Sequence, residues 1–237
     1  MQNIIVFGAS GHGSVVLDCI EQEAKYKVVG FIDSYKKKGT EVNGYAVLGS
    51  EYDLPFLIEK HQIYGGIVAT GDNWTRNLIV DRILKIVPEF KYISAVHPSA
   101  QVGKGVQIGR GSVVMPGVTI NANAIIANHC ILNTNSSLDH DGFMNNFSSL
   151  APNVCVGGNF ILGRGSAICL GTNIIENITV GEYSVVGAGS LLVGNVSSCL
   201  VVYGAPAKIV RKRIPGEPYL SGNKKSSSVI PLLANEI

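Results

Sequence analysis

The stretch Asn133-Thr134-Asn135-Ser136-Ser137-Leu138-Asp139-His140-Asp141 sets one imidazole between two carboxylates. An imidazole with an ordinary pKa of about 6.5 can take up a proton at neutral pH. A carboxylate on its other ring nitrogen fixes the tautomer and stabilises the imidazolium that forms. A lone histidine on a repetitive scaffold is more often a solvated surface residue, so both readings stand at this point. A second chemical feature is Gly8-Ala9-Ser10-Gly11-His12-Gly13. It follows an apolar run and precedes a helical pattern. Its glycines let backbone N–H groups approach a phosphate at a helix N-terminus, where the peptide dipole favours anions. The spacing is GxxGxG, unlike the GxGxxG of dinucleotide enzymes, and a purely structural βα turn is the competing reading. Cys19, Cys130, Cys155, Cys169 and Cys199 show no paired or metal-type spacing. They read as buried, reduced thiols, and no cysteine or serine stands in a nucleophile context.

The elements that must position these groups divide near residue 96. Residues 1–95 alternate strand and helix patterns. Ile4–Phe7, Val28–Ile32 and Gly65–Thr70 read as buried strands. Val15, Val16, Cys19 and Ile20 share one helical face, and Leu54–His61 and Trp74–Ile86 read as helices. Residues 34–44 are polar and loop-like. This order predicts a small Rossmann-like parallel sheet with helices on its faces. From Val96 to Leu192 every sixth residue is a large aliphatic, seventeen in succession without an insertion. Chance would give such a run roughly once in 10⁵ trials, so the period is structural. Six residues fit neither helix nor hairpin. They fit a solenoid of short strands and turns with stacked aliphatics inside, three hexads to a triangular coil, like the left-handed parallel β-helix. The residue after each aliphatic is often glycine (Gly103, Gly109, Gly157, Gly163, Gly181, Gly187) or Asn/Asp (Asn121, Asn133, Asp139, Asn145), which predicts positive φ there. Small residues recur at the fifth place, as at Ser112, Ser148, Ser166, Ser184 and Ser190.

The 237 residues include 28 glycines, 46% hydrophobic and only 15% charged residues, with a net charge of +2. That balance excludes long disorder and leaves no electrostatic footprint for nucleic acid. Mean hydropathy is +0.26, yet no uncharged apolar run reaches membrane-spanning length. The start MQNIIVFGASGHG has no basic region before its apolar stretch, so a cytoplasmic protein without membrane attachment is expected.

After the array, Gly204-Ala205-Pro206-Ala207-Lys208 resembles the terminal element of acyl-CoA-dependent acyltransferases of the left-handed β-helix superfamily. With the GASGHG turn, residues 1 to about 213 resemble the bacterial nucleotide-sugar acetyltransferases called PglD-like or NeuD-like. The resemblance implies a nucleotide-sugar-binding domain over 1–95, a β-helix acetyltransferase domain with a C-terminal cap over 96–213, and a tail over 214–237. It implies acetyl-CoA as donor without a metal, a homotrimer, and N-acetylation of a nucleotide-linked amino-deoxysugar by direct attack. The alternatives are O-acetylation of a sugar such as sialic acid, or a non-catalytic nucleotide-sugar-binding scaffold. His140 matches the family's general base in N-T-x-x-x-x-x-H-[ED], and Asp141 matches its carboxylate partner, with Asp139 as the alternative. Gly11, His12, Gly13, Asp33, Asp72, Asn73 and Asn133 fall to the nucleotide sugar. Gly158, as oxyanion donor, and Ser149, Gly189, Ala207 and Lys208 fall to acetyl-CoA in a groove between subunits. Ser149 stands where certain relatives carry a second histidine. Residues 222–228 have the composition of a mobile linker, and Val229–Leu233 is an apolar stretch that could dock.

Overall fold

The structure is a computed structural model and describes residues 1–220. The expectations for the linker at 222–228 and the apolar stretch at 229–233 lie outside the described residues.

The N-terminal part opens with β1 (Gln2–Phe7), α1 (Gly11–Glu23) and β2 (Tyr26–Ile32). Then come β3 (Glu41–Val42), β4 (Tyr45–Gly49), α2 (Leu54–His61), β5 (Ile63–Val68) and α3 (Asn73–Ile86). The sheet order is β3-β4-β2-β1-β5, parallel throughout except for the β3–β4 hairpin. That hairpin lies where a loop was expected. Asn43 (φ 48°) and Gly44 (φ 78°) form its two-residue turn, and an Asn-Gly pair between short apolar segments is the signal for it. The parallel order carries the turns after β1, β2 and β5 to one edge, the carboxyl end of the sheet, where open α/β sheets bind ligands.

Among the described residues, seventeen two-residue strands follow, β6 to β22, from Ala95–Val96 to Leu191–Leu192. Each ends on one of the periodic aliphatics. Strands pair in parallel with those eighteen residues away, as Thr119 with Ser137 and Ile125 with Phe143, giving three sheets wound as a left-handed β-helix. The inward column from Val114 to Leu192 is buried. Val102 and Ile108 are not, because among the described residues no coil lies beyond them. The last inward residues are covered by an antiparallel hairpin of β23 (Leu200–Gly204) and β24 (Ala207–Lys212).

Positive φ does not fall on the residue after each aliphatic, as expected, but two places later. Every sixth residue from Gly105 to Gly189 has it, including His129, Asp141 and Phe147. The glycines at the expected place serve close approach instead. A Cβ on Gly157 would lie 2.7 Å from Glu176 N in the next coil, and one on Gly163 2.5 Å from Glu182 N. The fifth-place serines turn inward at the corners and bond carbonyls, as Ser112 Oγ to Ala127 O (2.8 Å) and Ser166 Oγ to Gly181 O (2.6 Å).

The first residue of each strand faces outward and gives the three sides different characters. Val113, Ile131, Ser149, Ala167 and Val185 are buried, because the α/β part covers this side. Gln101, Thr119, Ser137, Cys155 and Asn173 make a polar side. The third side stacks Ile125, Phe143 and Ile161 on adjacent strands, with Ile125 and Ile161 40% and 45% exposed. Among the described residues no helix is long and apolar enough to cross a membrane. All five cysteines are free. Only Cys19 and Cys130 are buried as expected; Cys169 and Cys199 are half-buried, and Cys155 is exposed because it is an outward residue of the polar side. Burial pushes the Cys19 thiol up to about 12 and Cys169 up to about 11, away from thiolate chemistry.

Candidate active site at a corner of the prism

His140 and Asp141 lie on the turn between the strands Ser137–Leu138 and Phe143–Met144, at the edge where the polar and apolar sides meet. Asp141 adopts the left-handed conformation (φ 56°), which short polar side chains tolerate. Its Oδ2 then lies 2.7 Å from His140 Nδ1, while its Oδ1 accepts from Asn123 Nδ2 (3.3 Å) one coil away. Asp139 does different work: its Oδ1 accepts from Asn121 Nδ2 (2.6 Å) and from the His140 backbone N–H (2.7 Å). Asp141 is therefore the ring partner, and Asp139 braces the turn. The bond to Asp141, with lesser help from the Asp139 charge, raises the His140 pKa above its ordinary value, while the same bond holds the Asp141 carboxyl low. A proton on Nδ1 leaves the Nε2 lone pair free. Nε2 points over the next coil, where a Cβ on Gly158 would lie only 2.5 Å from it.

At the carboxyl edge of the parallel sheet, the β1–α1 turn is compact. A Cβ on Gly13 would lie 2.1 Å from Gly8 O, whereas one on Gly11 would meet open space. The N-terminus of α1 has no side-chain cap and no acidic residue in its first turn. Among the described residues, His12 Nε2 is buried without a hydrogen-bond partner. Burial, reinforced by the Arg76 charge, lowers the His12 pKa to about 4, so its imidazole is neutral at physiological pH. Asp33 ties two of these turns together: Oδ2 accepts from Ala9 N (2.8 Å), and Oδ1 accepts from Tyr35 N (2.8 Å) and Lys36 N (3.0 Å). Burial alone would raise its pKa, but those three N–H groups hold it below the usual carboxylate range. Asp72 caps α3, its Oδ1 accepting from Thr75 N and Oγ1 at 2.8 Å each.

Asn73 does not face the ligand edge as expected. It is 1% exposed, donates to Ser166 O (3.0 Å) and accepts from Arg76 Nη2 (2.6 Å), so its amide joins α3 to the β-helix. Arg76, which nothing in the sequence singled out, is also fully buried. It donates to Thr70 O, Gly71 O, Asn73 Oδ1, His129 O and Phe147 O, all neutral acceptors, spanning both halves of the chain. Arg76→Met should lower unfolding stability by about 3 kcal/mol, since several buried acceptors lose their donor together, and a denaturant melt reads it. His129 is buried between Phe147, stacked at 4.9 Å, and Tyr92, edge-on at 4.7 Å.

Asn133 accepts from Thr134 N (2.8 Å) at the corner between the covered and polar sides, one corner away from His140. Gly189 lies exposed at that same corner. Ser149 does not open to a groove as expected: it is buried on the covered side with its side chain against Tyr219, while Ala207 and Lys208 belong to the terminal hairpin. Within one chain, only Gly158 of the expected acetyl-CoA residues reaches His140. Among the described residues no group of three His, Cys, Asp or Glu side chains is placed to hold a metal.

A triangular β-helix with an imidazole–carboxylate pair on one corner, preceded by a glycine-turn α/β sheet, defines a hexapeptide-repeat acyltransferase. Residues 3–83 match the PglD N-terminal domain, and residues 99–134 match the bacterial transferase hexapeptide (six repeats). PerB from Caulobacter crescentus, solved in complex with CoA and GDP-perosamine, superposes with a TM-score of 0.82 at 29% identity, covering 89% of this chain and 98% of that one. The acetyltransferase domain of PglB from Neisseria gonorrhoeae, solved with acetyl coenzyme A, gives 0.80 at 30% identity, covering 88% and 99%. The chain belongs to this family of PglD-like acetyltransferases within the hexapeptide acyltransferase superfamily. Against a curated GDP-perosamine N-acetyltransferase from Escherichia coli O157:H7 it is 26% identical over 78% of this chain and 82% of that protein. Serine acetyltransferases also match, as that of Buchnera aphidicola at 34% identity over 134 residues, but the chain spans less than half the length of that relative.

Proposed function

We propose that this chain is an acetyl-CoA-dependent N-acetyltransferase acting on the amino group of a nucleotide-linked amino-deoxysugar, working in the cytoplasm as a homotrimer. The observation that carries the reading is the His140–Asp141 pair with Nε2 directed over Gly158. The uncapped N-terminus of α1 and the open space at Gly11 leave room for a diphosphate. His12 Nε2 offers a neutral polar atom to the ligand.

In the reaction the sugar amine attacks the thioester carbonyl, forming the C–N bond as Nε2 takes the amine proton. The resulting imidazolium is stabilised by Asp141. The Gly158 N–H is the donor proposed for the developing oxyanion. When the tetrahedral species collapses, the C–S bond breaks and the imidazolium returns the proton to the departing CoA thiolate. No acyl-enzyme is required. The homotrimer is supported by the exposed Ile125-Phe143-Ile161 stack, which borders the His140 corner. It is supported also by the separation, within one chain, of the exposed Gly189 from His140. A second copy on the apolar side would complete the groove.

The test is CoA release with UDP-, dTDP- and GDP-linked amino sugars, and with sialic acid beside them. Release with at least one nucleotide amino sugar is expected. Release with sialic acid alone would overturn N-acetylation in favour of the hydroxyl acceptor, and nucleotide binding without any release would leave a scaffold.

The raised His140 pKa fixes a pH dependence. The neutral imidazole is the active form, so kcat/KM falls as pH drops through a pKa above the ordinary 6.5. Asp141→Asn removes the largest cause of that rise, so the acid limb should move to lower pH. Maximal kcat should fall roughly 10²-fold as the ring loses its tautomer control. A limb that stays in place would detach Asp141 from the base.

A further inference from the structure

Beyond β24 the chain turns back over the α/β part. Arg213 is buried, donates from Nη1 to Tyr183 O (2.8 Å) and from Nη2 to Glu217 O, and so anchors the return. Gly216 (φ 86°) lies flat against Trp74, where a Cβ would meet Nε1 at 2.9 Å. The Tyr219 hydroxyl then reaches the turn after β5, accepting from Asn73 N (3.3 Å) and donating to Gly71 O (3.4 Å), with the Ser149 side chain beside it. Burial raises its pKa, so it stays a neutral donor. Leu220 comes next. The space where a Cβ of Gly71 would point is flanked by Leu220 Cδ1 (3.5 Å) and by His12 Cγ (3.9 Å). Leu220 is 59% exposed, an apolar side chain held at the mouth of the ligand edge rather than in a core.

We infer that residues 213–220 form a strap that closes the outer wall of the nucleotide-sugar site, with Tyr219 positioning the Gly71–Asn73 turn and Leu220 shielding His12 Nε2 from water. The inference rests on the proposed nucleotide-sugar reading of that edge. Its physical basis is the partnerless Nε2. A hydrogen bond to a ligand is stronger where water cannot compete, and Leu220, across the Gly71 turn from the imidazole, is the apolar side chain placed to supply that exclusion. Truncating Leu220 would admit water to Nε2, while removing the Tyr219 hydroxyl would leave the turn without its clamp. Neither change touches the corner that holds His140.

Calorimetric titration of the full-length wild type, Leu220→Ala and Tyr219→Phe with UDP, GDP and dTDP tests the strap, alongside acetyl-CoA titration and steady-state kinetics. The expected result is a 3- to 10-fold weaker Kd in both variants for whichever nucleotide the wild type binds, about the loss of one hydrogen bond. KM for the nucleotide sugar should rise with it, while kcat and the acetyl-CoA Kd stay unchanged. Because Leu220 is exposed, its variant should melt with the wild type and separate the effect from folding. Unchanged nucleotide affinity in Leu220→Ala and Tyr219→Phe, with a wild type that binds, would overturn the strap alone. A wild type that binds none of the three nucleotides would overturn the nucleotide-sugar reading, and the strap with it.

Discussion

His140→Ala should lower kcat by about 10²–10⁴-fold, the span typical of a lost general base, with nucleotide-sugar and acetyl-CoA binding largely retained. The reason is local. The imidazole is exposed at a corner, its Nδ1 is engaged by Asp141 and its Nε2 is free, so no core contact is lost with it. Stability should therefore stay near wild type, and steady-state kinetics beside a thermal melt would separate the two effects. Turnover near that of the wild type would remove His140 from the reaction.

Gly158→Ala should lower kcat by about 10²-fold, also without a stability penalty of comparable size. A Cβ there would lie 2.5 Å from Nε2 and 2.6 Å from Cε1, closer than any real contact, so one group has to yield. His140 is a solvent-facing side chain and yields easily, rotating off its bond with Asp141. Folding thus tolerates the change, whereas a displacement on the order of 1 Å in a reacting group is enough for such a rate loss. This pairs a surface glycine eighteen residues away with the base through geometry alone. Kinetics of Gly158→Ala measured against His140→Ala and the double variant would show it: the double should fall no further than His140→Ala does. Full activity in Gly158→Ala would mean that the imidazole works from another rotamer.

The β-helix was legible because its period is a packing constraint. One inward aliphatic per hexad has to fill the prism, and the seventeen periodic residues each end one of the two-residue strands. The position of positive φ was less legible. Tyr183 and Phe147 adopt it although no residue preference announces it, since pairing of neighbouring coils holds the backbone there. In the α/β part the expected strands and helices formed, and the hairpin at Glu41–Gly49 was missed although Asn43-Gly44 carries its signature. His140 and Asp141 could be paired from sequence because they are adjacent. Gly158 could be set beside them because eighteen residues is one coil. Arg76, Asn73 and Tyr219 could not be placed, because each also bonds a partner 53 to 148 residues away along the chain. Asp33 and Asp72 were found by their place at strand ends, yet the structure shows that backbone N–H groups hold them, which periodicity cannot reveal.

The most direct measurement is a structure of the chain with CoA and the nucleotide-linked amino sugar that supports CoA release. The sugar nitrogen should lie within hydrogen-bond reach of His140 Nε2, about 2.6–3.2 Å, with the CoA sulfur beside Gly158 and the diphosphate on the N-terminus of α1. An amine seated out of reach of that imidazole, even through one water, would contradict the assignment of His140 as the group that takes its proton.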